Sequence, residues 1–246
     1  MKRWIKNNLA ILVALFLMNG AGVLHAAVKG STTQGGGGGG RAGKTPVGFK
    51  EPGAVDASPG TPSWEIQDME RRLLVYHTGK NLSSAQQQEN QNIKRDVMRG
   101  VFDLRELSRL ALDKHWDSIS ADQQNQFVDL LSDLLENQAI FSKEQKKTEG
   151  KSYLIAYRGD QYLDGKSRAR TKTQVFIPKE SVTVDIQYML KQNGSRWKVF
   201  DVIVDNASLV DNYRFQFNKI IDKYGYPELV KRMQDKLSTL RTKRQG

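Results

Sequence analysis

Apolar and polar residues alternate strictly from Val182 to Leu190. Val182, Val184, Ile186, Tyr188 and Leu190 point one way; Thr183, Asp185 and Gln187 point the other. Period two predicts a strand with one dry and one wet face. Lys191 to Ser195 reads as a turn, because Asn193-Gly194 supplies the positive φ of a tight hairpin. Trp197 to Val204 is the returning strand. Its apolar residues are expected on both faces, Trp197, Val199 and Ile203 on one and Phe200, Val202 and Val204 on the other, as in a strand covered on both sides. The period then becomes helical: Leu209, Tyr213, Phe217, Ile220 and Tyr224 fit one stripe. Upstream, Ser152 to Tyr157 is a strand with Tyr153, Ile155 and Tyr157 on one face. Gly159-Asp160 and Asp164-Gly165 are turn signals. Arg168 to Ile177 is a further strand, with Ala169, Thr171, Thr173 and Val175 aligned and Pro178 ending it. Four consecutive strands joined by short turns imply an antiparallel sheet.

Helical spacing precedes the strands. Ile66, Met69, Leu73 and Tyr76 follow Ser63, a candidate N-cap, and Gly79 ends that helix. Ala85 to Met98 is polar, with Ile93 and Val97 as anchors, and reads as helix or loop. Leu104, Leu107, Leu110 and Ala111 form a stripe that Asp103 can cap. Ser120 and Gln123 have the spacing of a capping box, opening a helix with Phe127, Leu130, Leu131, Leu134, Leu135 and Ala139 on a broad apolar face. Ser142 to Lys151 is polar and loop-like. Pro227 starts a last helix carrying Leu229, Val230, Met233, Leu237 and Leu240. The fold class is α+β: a four-stranded antiparallel twisted sheet with helices packed on it, in one domain of about 180 residues, a usual size.

The ends differ from this body. Lys2, Arg3 and Lys6 precede a short apolar run, and small residues follow; residues 1–26 are expected to be a cleavable secretory signal peptide. Residues 27–63 are expected to be a disordered linker, rich in glycine and proline, that cannot bury enough apolar surface to order itself. Its reach as a flexible chain is roughly 33 Å. Its glycine run, Gly35 to Gly40, lacks the flanking strand and helix of a dinucleotide site. Residues 64–240 form the folded domain and 241–246 a basic tail. The formal charge is +11, but the leader and linker hold five of these charges and Lys231 to Gly246 another five. The body between is nearly neutral, which does not resemble a folded nucleic-acid-binding face. No cysteine is present, which excludes disulfides and thiol chemistry.

Catalytic signals are sparse. His77 and His115 have no serine or cysteine at a telling spacing, and no cluster has metal-ligand spacing. Asp201, with Asp205 following, is a candidate acid–base carboxylate. The plainer reading makes it a buried hydrogen-bonding residue that fixes its strand. An exported α+β enzyme using Asp201 therefore stands as the alternative to a binding role.

Arg196 to Val204 (R-W-K-V-F-D-V-I-V), followed by Ser208 to Phe217 (S-L-V-D-N-Y-R-F-Q-F), resembles the signature of MlaC-type periplasmic phospholipid-binding proteins, the toluene-tolerance family. The segment Val101 to Trp116 and its following glutamine-rich helix are similar to that family too, with two departures: Asp113 stands where the family commonly has glycine, and His115 where it commonly has tyrosine. The resemblance spans roughly Val101 to Leu237. It implies a non-enzymatic periplasmic carrier, without cofactor, that moves phospholipid between the inner and outer membranes. It implies docking on an inner-membrane ABC lipid transporter complex and on an outer-membrane lipoprotein–porin complex. It also implies an apolar cleft between sheet and helices that holds acyl chains, with the headgroup outside. Alternation assigns its walls to Leu131, Leu134, Leu135, Val184, Ile186, Tyr188, Val202, Val204, Tyr213 and Phe217.

Overall fold

The structure, a computed structural model, describes residues 47–53, 55–77, 81–137, 153–178 and 181–245. The expected signal segment, most of the linker, Gly79, Ala139 and the polar stretch Ser142 to Lys151 lie outside these residues.

Helix α1 spans Pro62–Leu73. Thr61, not Ser63, is its N-cap: the Thr61 hydroxyl accepts from the Trp64 N–H at 3.3 Å. Thr61-Pro62 outcompetes Ser63 because proline at the first helical position has no N–H to leave unpaired. Ser63 instead donates its hydroxyl to Asp160 at 2.7 Å, tying the helix to the sheet. Helix α2 spans Ser84–Val101. It is a complete helix despite its polar composition, because Ser83 and Gln86 close a reciprocal capping box (2.9 and 3.2 Å). It buries Val97, Met98 and Val101 on one side. Helix α3, Leu104–Leu112, is capped by Asp103, and α4, Ala121–Asn137, by Ser120 with Gln123. Between them Asp113–Ser118 makes a 3-10 turn, entered through Asp113 at φ 50° and ψ −120°.

The sheet has five strands, not four: β1 Leu154–Leu163, β2 Arg168–Ile177, β3 Val182–Asn193, β4 Arg196–Val204 and β5 Ala207–Ser208. They lie in sequence order with every pair antiparallel. The fifth strand is two residues long, too short for a hydrophobic period. It is turned back onto β4 by Asp205 and Asn206, both at positive φ, the residue types that a two-residue hairpin favours. Strand β1 continues through Gly159, which absorbs a register shift between Tyr157 and Asp160 at φ 97° rather than making a turn.

A second register shift changes which residues share a face. Val199 pairs with Leu190, yet Val202 pairs with Tyr188, so the extra residue on β4 is Phe200. The bulge brings Trp197 and Val199 onto the same face as Val202 and Val204. The expected division of β4 into two apolar faces is therefore corrected: Ile203 is only half-buried, while Val199, Val202 and Val204 extend the dry face of β3. The opposite face of β3 is wet at Thr183 and Asp185, as alternation requires.

The folded unit begins before Trp64, inside the stretch expected to be linker. Lys50 forms an antiparallel bridge with Ile155 on the free edge of β1 (2.9 and 2.8 Å). Phe49 meets Phe176 edge-on at 5.9 Å. The Gln67 side chain accepts from the backbone of Asp56 and Ala57. At Gly53, φ +88°, a Cβ would lie 2.1 Å from Leu74 Cδ1, so any other residue would strain the backbone and push aside the flexible Leu74 side chain that follows α1.

Two helices close the chain, α5 Leu209–Tyr224 and α6 Tyr226–Gln245. Leu209, Tyr213 and Phe217 are buried as expected, whereas Tyr224 is half exposed between the charges of Lys223 and Arg232 (5.0 and 4.9 Å). The dry sheet face and the helices share one continuous apolar cluster.

Candidate ligand-binding interior

All ten residues expected to line a cleft are buried, and all ten belong to that cluster. They form two sets. The sheet set is held by register: Ile186 opposes Val204, Tyr188 opposes Val202, and Val184 continues the row. The helix set is held by packing among helices. Tyr213 stacks on Phe217 at 5.2 Å, and Phe217 meets Phe127 of α4 edge-on at 5.7 Å. Leu131, Leu134 and Leu135 lie on α4, whose main neighbours are α2, α3 and α6. The element lying across the sheet is α1, which touches β1, β2 and β4 and buries Ile66 and Met69.

Sequence reasoning missed the polar residues on α1. Glu65 is 1% exposed and binds Arg196 through both oxygens, at 3.1 and 2.7 Å. Glu70 is 5% exposed. It lies four residues after Ile66 and one after Met69, on the apolar stripe itself, and that misplaced carboxylate was the available signal. The Tyr157 hydroxyl donates to Glu70 Oε2 at 2.8 Å, while Oε1 has no hydrogen-bond partner among the described residues. Burial pushes the Glu70 carboxyl up to about 7, against the opposing pull of the Tyr157 hydrogen bond, the Lys50 charge and the Gly53 backbone N–H. Burial, and then the nearby Glu70 charge, raises the Tyr153, Tyr157 and Tyr188 phenols as well. Tyr188 is completely buried, and its hydroxyl is unpartnered among the described residues. The dry face is thus not wholly apolar. Thr171 and Thr173 also lie on it, satisfied by Asp160 at 2.6 Å and by the Ile186 carbonyl at 3.0 Å.

Asp201 does not have the surroundings of an acid–base group. Oδ1 accepts from the Val202 and Val210 backbones at 2.8 and 3.0 Å, and Oδ2 accepts from Ser208 at 2.6 Å. Burial raises its carboxyl and these hydrogen bonds oppose that rise. The carboxylate clamps the start of α5 to β4. His77 contacts Glu89 at 2.6 Å at the surface, and His115, mostly buried, lies 3.1 Å from the half-exposed Asp222 on α5. Among the described residues no group of three or more His, Cys, Asp or Glu could hold a metal ion. No helix among them is long and apolar enough to cross a membrane. A polar pocket of about 220 Å³ lies between α2, α4 and α6, lined by residues such as Lys94, Asp133 and Arg241, and contains none of the ten.

The interior is one packed apolar cluster with hydrogen-bonding groups set into the side formed by the sheet and α1. The model of the family described as MlaC protein matches residues 69–235. A solved structure of the phospholipid-binding protein from Ralstonia solanacearum, in complex with a phospholipid, is similar in fold: TM-score 0.52, 16% identity, 74% of this chain and 89% of that chain covered. No curated protein matches the chain.

Proposed function

Because the chain belongs to the MlaC protein family, we propose that it is a phospholipid carrier without enzymatic turnover. The acyl chains lie between the dry sheet face and the helices, and the headgroup stays outside. The carrier works in the periplasm, between the inner and outer membranes. It docks on an inner-membrane ABC lipid transporter complex and on an outer-membrane lipoprotein–porin complex. The observation that carries the lipid reading is the single apolar cluster shared by two layers, the sheet set around Ile186 and Tyr188 and the helix set around Leu131 and Phe217. The likeness to a solved protein that holds phospholipid supports it.

The energetics suit that role. Withdrawing a methylene from water is worth about 0.8 kcal/mol, so a sixteen-carbon chain needs about 13 kcal/mol of matching apolar environment. An exposed patch cannot supply that, whereas an interior separable into two apolar layers can. Native mass spectrometry of protein purified from cells is expected to show co-purified phospholipid. Lipid-free protein that also takes no labelled phospholipid from vesicles would overturn the reading.

A further inference from the structure

Six buried side-chain atoms lack a hydrogen-bond partner among the described residues, and two of them, the Tyr188 hydroxyl and Glu70 Oε1, lie near one another. Both belong to the wall that the sheet and α1 build together. Tyr157 pairs with Thr173, which pairs with Ile186, two residues from Tyr188 on the same face. The Tyr157 hydroxyl holds Glu70 by its other oxygen. A buried polar atom left unpaired costs about 1–3 kcal/mol, and native proteins keep few of them. Here the two share one wall, beside residues expected to contact lipid.

We propose that Tyr188 and Glu70 form a hydrogen-bonding station for the acyl-ester carbonyls of the bound glycerophospholipid. This rests on the carrier reading above and adds a contact to it. The chemistry selects the partner. The Tyr188 O–H is a free donor, and so is Glu70 Oε1 when protonated, the state that burial favours up to about pH 7. An acceptor on the ligand satisfies both groups at once. A phosphate would bring a full negative charge beside a carboxyl in a dry site, where Lys50 is already paired with Asp56 at 2.6 Å. An ester carbonyl is neutral, accepts hydrogen bonds only, and occurs twice at the junction of headgroup and tails, matching two donors. The station also sets depth: it anchors the glycerol end of the lipid while the chains run on between the layers.

The test compares dipalmitoyl phosphatidylethanolamine with its dihexadecyl ether counterpart, which has the same headgroup and chain length but no carbonyls. Wild-type protein is expected to take the ester lipid from vesicles with about tenfold higher affinity, the combined worth of two hydrogen bonds of roughly threefold each. In Tyr188→Phe that preference falls to about two- to threefold or less. In Glu70→Gln, which keeps an N–H donor towards the ligand, it persists. Circular dichroism and thermal melting establish that both variants are folded. Equal wild-type affinity for ester and ether lipid would overturn the station while leaving the carrier reading intact. So would an ester preference undiminished in Tyr188→Phe, or one abolished in Glu70→Gln. Failure to bind either lipid would overturn the carrier reading itself, and the station with it.

Discussion

Glu70 carries a consequence for stability as well as for binding. Its carboxyl is raised from 4.5 to about 7 in the folded protein, chiefly by burial. A raised folded value means that the fold prefers the protonated form. The group's contribution is therefore whole below the unfolded value, declines as pH rises from about 4.5 towards 7, and is lost above that. That rise corresponds to about 3 kcal/mol. Urea unfolding of lipid-free protein at pH 5 and pH 8 should show the wild type losing that much more stability than Glu70→Gln. Parallel pH profiles would refute the assignment. Asp113 makes a second case. Its φ of 50° with ψ of −120° is a conformation that suits glycine. Asp113→Gly is expected to stabilise the protein by about 1 kcal/mol, raising Tm by about 2–4 °C. A lowered Tm would show that the aspartate side chain outweighs the backbone strain.

At the scale of elements, the strap meets the free edge of β1 at Ile155. An unpaired edge strand is a template for pairing with another chain. The strap occupies it with the Lys50–Ile155 bridge and pins itself to α1 through Gln67. Removing residues 47–57 should lower Tm and increase self-association, measured by light scattering. Gly53→Ala should do the same more weakly, since the flexible end of Leu74 can yield. An unchanged Tm and a monomeric truncated protein would show that the strap is dispensable. Its place was not legible in the sequence because a single bridge residue has no period, and its glycines and prolines read as solvent-exposed chain. The same reason hid Ala207–Ser208. Strands β2 and β3 and the helices from α3 onward were legible, because each is long enough for its apolar spacing to repeat and several carry a capping signal. The α2 capping box was legible in principle, as Ser83 and Gln86 have the spacing that identified Ser120 and Gln123. The β4 bulge was not, because pairing decides it: Phe200 is apolar whichever face it takes. The ten interior residues were found because burial follows alternation and stripe. Glu70 was missed because attention to apolar positions passes over a carboxylate among them.

At the scale of the whole molecule, the net charge lies outside the body that holds the apolar interior. The body from Trp64 to Val230 is nearly neutral because its acidic and basic residues balance, and the net positive charge comes from the two ends. Two modes of lipid association can thus be told apart. Basic ends adsorbing to anionic headgroups would weaken steeply with salt, since exposed charges are screened within about 10 Å at 0.1 M. Acyl chains held inside would not, because apolar burial depends little on moderate ionic strength. A ligand bound only by the folded state at a hundred times its Kd adds about 2.7 kcal/mol of stability. For a domain of this size that raises Tm by about 5–11 °C. Delipidated protein reloaded with dipalmitoyl phosphatidylethanolamine should show that rise equally at 50 mM and 500 mM sodium chloride, and should keep it after removal of residues 241–246. A rise that disappears at the higher salt, or with the tail, would place the lipid on the surface. The sheet and helices would then have no part in holding it.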